Sequence, residues 1–306
     1  IITRTGIYAR IAALGYDYAT RATLRPAECN LCGARDRAVE VAGRDRYGYP
    51  ATFVVCRRCG LGYLCQRLST TQYAHFYSEI YRPLVSAYHG RRIDAQTIQL
   101  EQRSYATGLA AFLLPLLPSP PRTILDVGGS TGVVARVLAA RLNARSTVLD
   151  PAPEELAVAQ AAGMETIAGF AEDFDPGERR WDLVLLCQTI DHLLDLRATL
   201  AALREMTAAG GHAFVDIVDV EVLLHRTGSI ERVIKIDHPY YLTRSTAVAL
   251  FALTGFTIVA ERLTDDGHRG FVLTPGPCTE PDWPALEIGA THLLSGVWTL
   301  RAGELG

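Results

Sequence analysis

A short apolar strand that runs straight into a glycine-rich turn constrains this chain more than any other stretch. Residues 123–132 read Thr-Ile-Leu-Asp-Val-Gly-Gly-Ser-Thr-Gly, and a helical pattern follows at 133–141. Three apolar residues of the stretch suit a strand buried on both faces of a parallel sheet. Glycines let the backbone approach a ligand, and the first N–H groups of the next helix point at the turn. The stretch therefore predicts an open α/β sheet with a nucleotide site at the carboxyl ends of its strands.

The segments after this turn keep the same alternating order. A strand at 146–150 ends in Asp150, 24 positions after Asp126. That spacing is close to the roughly 20-residue offset at which a carboxylate meets ribose hydroxyls. Next come a helix, a strand near 165–168 and the segment Gly-Phe-Ala-Glu-Asp-Phe (169–174). A further strand begins Trp-Asp-Leu-Val at 181, and Asp-His-Leu follows it at 191–193. The sequence then predicts a helix to Thr207, a break at Gly210-Gly211 and a strand at 213–219. A helix at 246–253 follows, and two strands at 257–261 and 270–274 are predicted to complete the sheet.

In this order the motifs resemble those of the class I S-adenosylmethionine-dependent methyltransferases, over roughly residues 120–275. The resemblance implies a Rossmann-like α/β domain with a mostly parallel seven-stranded sheet, and S-adenosyl-L-methionine as the methyl donor. It also implies roles for the matching residues. Asp126 would meet the donor's ammonium group, Asp150 the ribose hydroxyls, and Gln188 the sulfonium end. The other expected cofactor-binding residues are Gly128, Gly129 and Gly132 beneath the methionine and ribose, and Phe170 and Ala171 beside the adenine. Two alternatives stay open: Asp150 as a helix cap before Pro151, and Gln188 as a polar strand end.

Two Cys-x-x-Cys pairs form the second strong motif. Cys29 and Cys32 precede Gly33, and Cys56 and Cys59 precede Gly60. This spacing fits two knuckles that donate four thiolates to one tetrahedral Zn²⁺. Four protein ligands leave no open coordination position, so we expect a structural zinc; a redox role or an iron–sulfur cluster is the alternative. Strands are predicted on either side of a turn at 44–48.

The sequence suggests a linear division into four parts. We expect an N-terminal arm, with a helix at 6–21, and the zinc-binding module at 1–68. A helical lid or linker follows at 69–118, with helices at 71–78 and 91–114, and its aromatic residues either pack or cover the site. The Rossmann-like domain occupies 119–275, and a Pro-rich, weakly helical tail occupies 276–306.

Composition excludes several classes of partner. The formal net charge is −3, so no basic surface points to nucleic acid. No apolar run approaches the roughly 20 residues of a membrane span. Paired cysteines that favour a metal over disulfides indicate a reducing compartment, so we expect a cytoplasmic protein. The sequence does not indicate an oligomeric state.

A zinc module ahead of this type of domain resembles a bacterial family that methylates sugars of polysaccharides or secondary metabolites, usually as nucleotide-linked substrates. The segment Lys-Ile-Asp-His-Pro-Tyr-Tyr-Leu-Thr (235–243) resembles that family's acceptor loop. The resemblance implies that His238 is the base and that Asp237 orients it. The sugar C-methyltransferases carry a Tyr three residues before this His, whereas this chain has Lys235, which leaves O-methylation open. Tyr241 and, at the mouth of the cofactor site, His192 complete the candidate catalytic set; Tyr241 either binds a sugar face or packs, and His238 is otherwise a buried hydrogen-bonding residue.

The leading hypothesis is a methyltransferase that acts on a small molecule, most plausibly a sugar or nucleotide-sugar in natural-product or polysaccharide biosynthesis. Its acceptor is alternatively a non-sugar secondary metabolite. The rivals are a dinucleotide oxidoreductase, and a non-catalytic, zinc-anchored binding protein that retains the cofactor fold.

Overall fold

The computed structural model describes residues 4–304. The helices are α1 Arg4–Ala12, α2 Tyr18–Arg21, α3 Thr70–His75, α4 Tyr81–His89, α5 Ala95–Leu113, α6 Val133–Leu142, α7 Pro153–Ala161, α8 Leu196–Met206, α9 Val220–Thr227, α10 Ile230–Val233, α11 Arg244–Leu253 and α12 Trp283–Glu304. The strands are β1 Ala38–Arg44, β2 Pro50–Cys56, β3 Gly62–Leu64, β4 Thr123–Val127, β5 Arg145–Asp150, β6 Glu165–Ala168, β7 Trp181–Leu186, β8 Thr207–Val218, β9 Tyr240–Tyr241, β10 Phe256–Leu263 and β11 His268–Pro275.

Contacts group the chain into two compact units. The first combines Ile1–Asp94, Val218–Ala249 and Asp282–Gly306, and the second combines Ala95–Ile217 and Leu250–Pro281. These units differ from the four consecutive segments expected from the sequence. The expected 69–118 segment is divided between them, and the expected C-terminal tail belongs to the first unit. The physical reason is that α12 is a full helix whose apolar side, including Ala290, Leu294 and Val297, is buried.

The second unit contains a seven-stranded sheet in the order β10-β11-β8-β7-β4-β5-β6. Strands β8, β7, β4, β5 and β6 pair in parallel, and β10 pairs with β11 antiparallel. Ile124 and Leu125 of β4 are fully buried, as expected for a central strand. Ile124 packs in one cluster with Leu109 and Leu113 of α5, while Ala135 and Val148 belong to another. The predicted mostly parallel, Rossmann-like sheet is confirmed.

One predicted break is absent from this sheet. Strand β8 begins at Thr207 and continues through Gly210-Gly211 to Val218. The register against β7 shifts between Trp181 and Leu183, and Gly210 has a φ of +75°. The glycines therefore produce an irregularity in the strand instead of ending it.

The first unit contains a four-stranded antiparallel sheet in the order β1-β2-β3-β9. Its fourth strand has only two residues, Tyr240 and Tyr241, which pair with Tyr63 and Gly62. A Cβ on Gly62 would lie 2.6 Å from the ring of Phe53 and 3.2 Å from Tyr241, so only glycine allows this close packing.

The helical segments of the first unit differ from those expected: the first is divided and the second is longer. The predicted helix at 6–21 is two helices, α1 and α2, separated by a turn in which Gly15 has a φ of +65°. The predicted helix at 71–78 begins as α3, capped by Ser69 and Gln72, and continues through a π-helical turn at Phe76–Ile80. Such turns often occur at functional sites. Among residues 4–304, no helix combines the length and apolar character that crossing a membrane requires.

Candidate cofactor, metal and acceptor sites

The glycine turn after β4 has the close approaches that its sequence predicts. Gly132 begins α6 with a φ of +72°, and a Cβ there would collide with Met164. A Cβ on Gly129 would lie 2.7 Å from the carboxyl carbon of Asp126. The N–H of Gly128 donates to the carbonyl of Leu149, 2.7 Å away, which ties the turn to β5. The turn is thus packed so closely against its neighbours that side chains at Gly129 and Gly132 would displace them.

Asp126 is a buried carboxyl with unused hydrogen-bonding capacity. Its Oδ2 accepts from the N–H of Ala135 at 3.2 Å, whereas its Oδ1 has no hydrogen-bond partner among the described residues. The pKa of Asp126 is raised to about 7, chiefly by burial and to a lesser extent by the nearby carboxylate of Asp150, against the lowering effect of the Ala135 N–H. A cationic ligand would favour the ionised form and satisfy Oδ1.

Asp150 lies at the end of β5 and is fixed by backbone donors on both oxygens. Ser130 N–H donates to Oδ2 and Ala152 N–H donates to Oδ1, each at 2.8 Å. Burial raises the pKa of Asp150, and these two hydrogen bonds lower it. Each carboxylate oxygen can accept a further hydrogen bond. Asp150 is therefore oriented before a ligand arrives.

Gln188 follows β7 in a strained backbone conformation, with a φ of +52°. Its N–H donates to Oδ1 of Asp216 at 2.5 Å, and the Tyr105 hydroxyl donates to Oδ2 at 2.7 Å. Asp216 is 2% exposed, and its burial raises its pKa. Left-handed conformations of residues other than glycine persist when the surroundings hold them. Asp216 and Tyr105, which the sequence patterns do not single out, provide that support.

The remaining candidates on the second unit occupy short turns. Phe170 is half-buried and Ala171 is buried at a 3₁₀ turn after β6. His192 ends a 3₁₀ turn after β7, and its N–H donates to the carbonyl of Thr189 at 2.9 Å. These turns follow the carboxyl ends of β6 and β7.

The four predicted cysteines form one cluster on the first unit. Their sulfur atoms all lie within 4.8 Å of one another, with Cys29 to Cys59 at 3.5 Å and Cys32 to Cys56 at 3.6 Å. A tetrahedral zinc with bonds of about 2.3 Å places its sulfurs about 3.8 Å apart. Turns after each pair are closed by hydrogen bonds from Gly33 N–H and Gly60 N–H to the carbonyls of Cys29 and Cys56, both at 2.8 Å. The donor set and spacing fit a four-thiolate metal site.

The predicted acceptor loop is buried and also lies in the first unit. His238 is 4% exposed; its Nε2 lies 3.0 Å from Nζ of Lys235 and 3.6 Å from Oδ2 of Asp237. A lysine ammonium only donates, so with Lys235 charged, Nε2 accepts and the imidazole is neutral. The sequence pattern drew attention to Lys235 only as a departure; the structure makes it the direct partner of His238.

Tyr241 supports this loop through its hydroxyl. The hydroxyl accepts from Lys235 N–H at 2.5 Å and donates to the Lys235 carbonyl at 3.1 Å. The ring is 2% exposed and packs edge-on against Phe53, with the centroids 4.9 Å apart. Of the two expectations for Tyr241, the packed ring describes this structure.

Comparison with known proteins agrees with this geometry. Residues 99–261 match the family described as a methyltransferase domain. This chain belongs to the methyltransferase family. Its family and its fold agree with the resemblance to class I methyltransferases drawn from the sequence, and the chain also carries the predicted cysteine cluster.

The methyltransferase is similar to a ubiquinone biosynthesis O-methyltransferase of Methylobacterium sp. (strain 4-46), with 34% identity over 116 residues. That match covers 34% of this chain and 45% of the relative, so the chain spans about half the length of the curated relatives it matches.

Two solved structures share its fold. An S-adenosylmethionine-dependent methyltransferase from Leishmania major has a TM-score of 0.53 and 17% identity, covering 79% of this chain and 99% of that one. The magnesium protoporphyrin IX methyltransferase of Synechocystis PCC 6803, solved with bound SAH, has a TM-score of 0.51 and 11% identity, covering 68% and 100%.

The residues of the methyltransferase fit S-adenosylmethionine. The unpartnered Oδ1 of Asp126 suits an ammonium, and the two oxygens of Asp150 suit ribose hydroxyls. The roles given to all the expected cofactor-binding residues, and to His192, stay predictions.

The sequence reasoning missed Asp45, which lies in the turn between β1 and β2. Asp45 is fully buried, and its Oδ1 accepts from Tyr47 N–H at 3.0 Å and from Tyr49 N–H at 2.9 Å. Its Oδ2 accepts from the N–H of Ile236 at 3.1 Å, 191 positions further along the chain. Burial raises the pKa of Asp45 to about 8; its three N–H donors lower it, and the nearby charge of Asp237 raises it. An Asp between two arginines in a turn looks exposed in sequence, so no local pattern reveals this contact.

Proposed function

We propose that this protein transfers a methyl group from S-adenosylmethionine to a small-molecule acceptor. The observation that carries the proposal is the buried carboxyl of Asp126, next to the last residue of β4, with one oxygen unpartnered among the described residues and the glycine turn directly after it. A fixed anion at that position binds the ammonium end of the donor, and Asp150 binds its ribose. When bound, the donor supplies an electrophilic methyl group on a sulfonium.

The loop at 235–238 supplies groups for acceptor activation. The neutral imidazole of His238 has a basic Nε2 that Lys235 occupies at 3.0 Å. An acceptor hydroxyl that donates to Nε2 takes the place of Lys235, and the displaced ammonium stabilises the oxyanion that forms as the proton moves to His238. Asp237 then lies beside the resulting imidazolium, with Oδ2 3.6 Å from Nε2. His192 is a second candidate base.

The preferred acceptor class is a sugar or nucleotide-linked sugar, and the preferred reaction is O-methylation. The ammonium of Lys235 stabilises an alkoxide or phenoxide more directly than it assists removal of a proton from carbon. A phenolic acceptor is the second candidate, because the relative with 34% identity is a ubiquinone biosynthesis O-methyltransferase.

We also propose that the four-cysteine cluster holds Zn²⁺ in a structural role. Sulfur separations of 3.5 and 3.6 Å suit a tetrahedral ion, and four thiolates leave no position for a substrate. A zinc bound only by the folded module stabilises that module.

The test is turnover with methyl-¹³C S-adenosylmethionine against nucleotide-linked sugars, including 4-keto-deoxysugars, and against phenolic quinone precursors, read by NMR. A sugar methoxy signal is expected. An aryl methoxy signal would select the second candidate, and a methyl on carbon would establish C-methylation. No transfer with cofactor binding intact would refute the proposed acceptors and favour a non-sugar metabolite or a non-catalytic binding protein.

The matched variants are His238→Gln and His225→Gln, since His225 lies on α9 outside the acceptor loop. Loss of a general base lowers the rate by about 10²–10⁴-fold. His238→Gln should show that loss with unchanged affinity for S-adenosylmethionine, whereas His225→Gln should retain the rate. Binding of a nicotinamide dinucleotide, with none of S-adenosylmethionine, would support the oxidoreductase rival.

A further inference from the structure

The acceptor loop has almost no regular structure of its own, yet its backbone is buried. Ile236, Asp237 and His238 of this loop, and Ile234 just before it, are nearly inaccessible. A buried loop must satisfy its N–H and C=O groups, because each buried group left without a partner destabilises the fold. The partners of this backbone therefore determine where the loop can lie.

Those partners come largely from the cysteine module, residues 29–64 with the four cysteines and strands β1–β3, and from the helical segment after it. Arg46 N–H donates to the carbonyl of Ile234 at 2.8 Å, and Leu64 N–H donates to the carbonyl of Pro239 at 3.0 Å. The hydroxyls of Tyr73 and Tyr77 donate to the carbonyls of Ile236 and Asp237, each at 3.3 Å.

Asp45 differs from these partners because a single buried carboxyl joins two segments. Its Oδ1 closes the β1–β2 turn on Tyr47 and Tyr49, and its Oδ2 accepts from Ile236, one residue after Lys235 and two before His238. A shift of the β1–β2 turn is thereby transmitted to the acceptor loop through the rigid carboxyl group of Asp45.

We infer that Asp45 is a positioning residue for the acceptor loop: it fixes the Lys235–His238 pair relative to the turn of the cysteine module. The inference rests on the proposed role of His238. The segment that carries the four cysteines would then contribute to turnover even though its metal site has no position for a substrate. The link is direct, because Asp45 lies in the turn between β1 and β2, and β2 ends at Cys56.

Asp45→Asn is the sharpest perturbation. The amide keeps one oxygen for Tyr47 and Tyr49 but turns an NH₂ group toward the N–H of Ile236, so two donors face each other. Asp36→Asn is the matched control, because Asp36 is an exposed acid of the same N-terminal segment whose carboxylate lies 3.7 Å from Arg37.

Hydrogen exchange and histidine ring NMR on the full chain, loaded with zinc, test the inference without any acceptor. We expect the Ile236 amide to exchange at least about tenfold faster in Asp45→Asn than in Asp36→Asn, with zinc content and affinity for S-adenosylmethionine unchanged. The His238 ring resonances should shift only in Asp45→Asn. Ile236 exchange equal in both variants would overturn the inference.

Turnover adds a second criterion once the acceptor panel has given a substrate. A misplacement of about 1 Å can lower a rate by about 100-fold, so kcat of Asp45→Asn should fall by that order while the KM for S-adenosylmethionine stays the same. An unchanged kcat would contradict the inference. If the wild-type protein methylates nothing in the panel, the proposed function fails, and the exchange data still decide the role of Asp45.

The wild-type protein provides a measurement should Asp45→Asn fail to fold. If one carboxyl holds both segments, the amides of Tyr47, Tyr49 and Ile236 open together and have protection factors within about threefold of one another. An unprotected Ile236 beside protected Tyr47 and Tyr49 would refute the link.

Discussion

The affinity for S-adenosylmethionine should depend on pH through Asp126. Its pKa is raised to about 7 by burial, so below that pH the carboxyl is mostly neutral in the free protein. The ammonium group of the cofactor binds the ionised form, and the pH-dependent cost of ionising Asp126 is about 1.4 kcal/mol per unit below the pKa. The dissociation constant should therefore rise about fivefold from pH 7, where Asp126 is half ionised, to pH 6, and about ninefold more from pH 6 to pH 5.

Titration calorimetry in this window measures both the affinity and the proton balance. The cofactor's α-amino group, with a reference pKa near about 8, stays protonated there. Repeating the titration in buffers of different ionisation enthalpy should show about one proton released per cofactor bound at pH 5–6, and little release from Asp126 above its pKa.

Asp126→Asn is the control that isolates this group. The amide cannot ionise, so binding should be weaker and should lose the Asp126 part of the pH dependence; any slope that is left belongs to Asp150, whose pKa burial also raises. A wild-type dissociation constant that is flat from pH 5 to pH 7, or a slope that is identical in Asp126→Asn, would refute the reasoning.

Three further outcomes follow from the geometry. Gly132→Ala places a side chain at a φ of +72° and against Met164; the left-handed conformation alone costs about 1–2 kcal/mol, so denaturant unfolding should show at least that loss, and a wild-type midpoint would contradict it. Cys56→Ser should abolish stoichiometric zinc measured by mass spectrometry, whereas Cys278→Ser, an exposed cysteine outside the cluster, should retain it; full zinc in Cys56→Ser would disprove the four-thiolate site. Tyr105→Phe removes the hydroxyl that lies 2.7 Å from Asp216, the residue that holds the backbone of Gln188. The net value of one hydrogen bond, about 0.5–1.5 kcal/mol, corresponds to cofactor binding that is weaker by about 3–10-fold. An unchanged affinity would show that Tyr105 does not support the cofactor site.

The parallel sheet could be predicted because its signals are local. Ile124, Leu125 and the glycines after them specify a buried strand and a sharp turn within ten residues, and the structure has both. The cysteine spacing likewise specified a cluster, because four thiolates with two short turns have few other arrangements.

The acceptor loop could not be predicted in the same way. Strand β9 has only two residues, too few to show a period, and its pairing with Gly62 depends on segments almost 180 positions apart. Asp45 and Ile236 are similarly far apart in sequence, and no pattern in the residues around either one predicts their contact. Helix α12 was underestimated because its apolar residues find a partner only in the folded unit.

The late arrival of β9 has a consequence for synthesis of the chain. Strands β1, β2 and β3 are complete by Leu64, whereas Tyr240 leaves the ribosome about 176 residues later. At about 5–20 residues per second the edge of β3 stays unpaired for about 9–35 seconds, a period in which an exposed strand edge invites association with other chains. Metal captured by the four cysteines during that interval would hold the hairpin in register until its last strand is made. Zinc supply during translation, more than zinc present afterwards, should then set how much protein reaches the folded state.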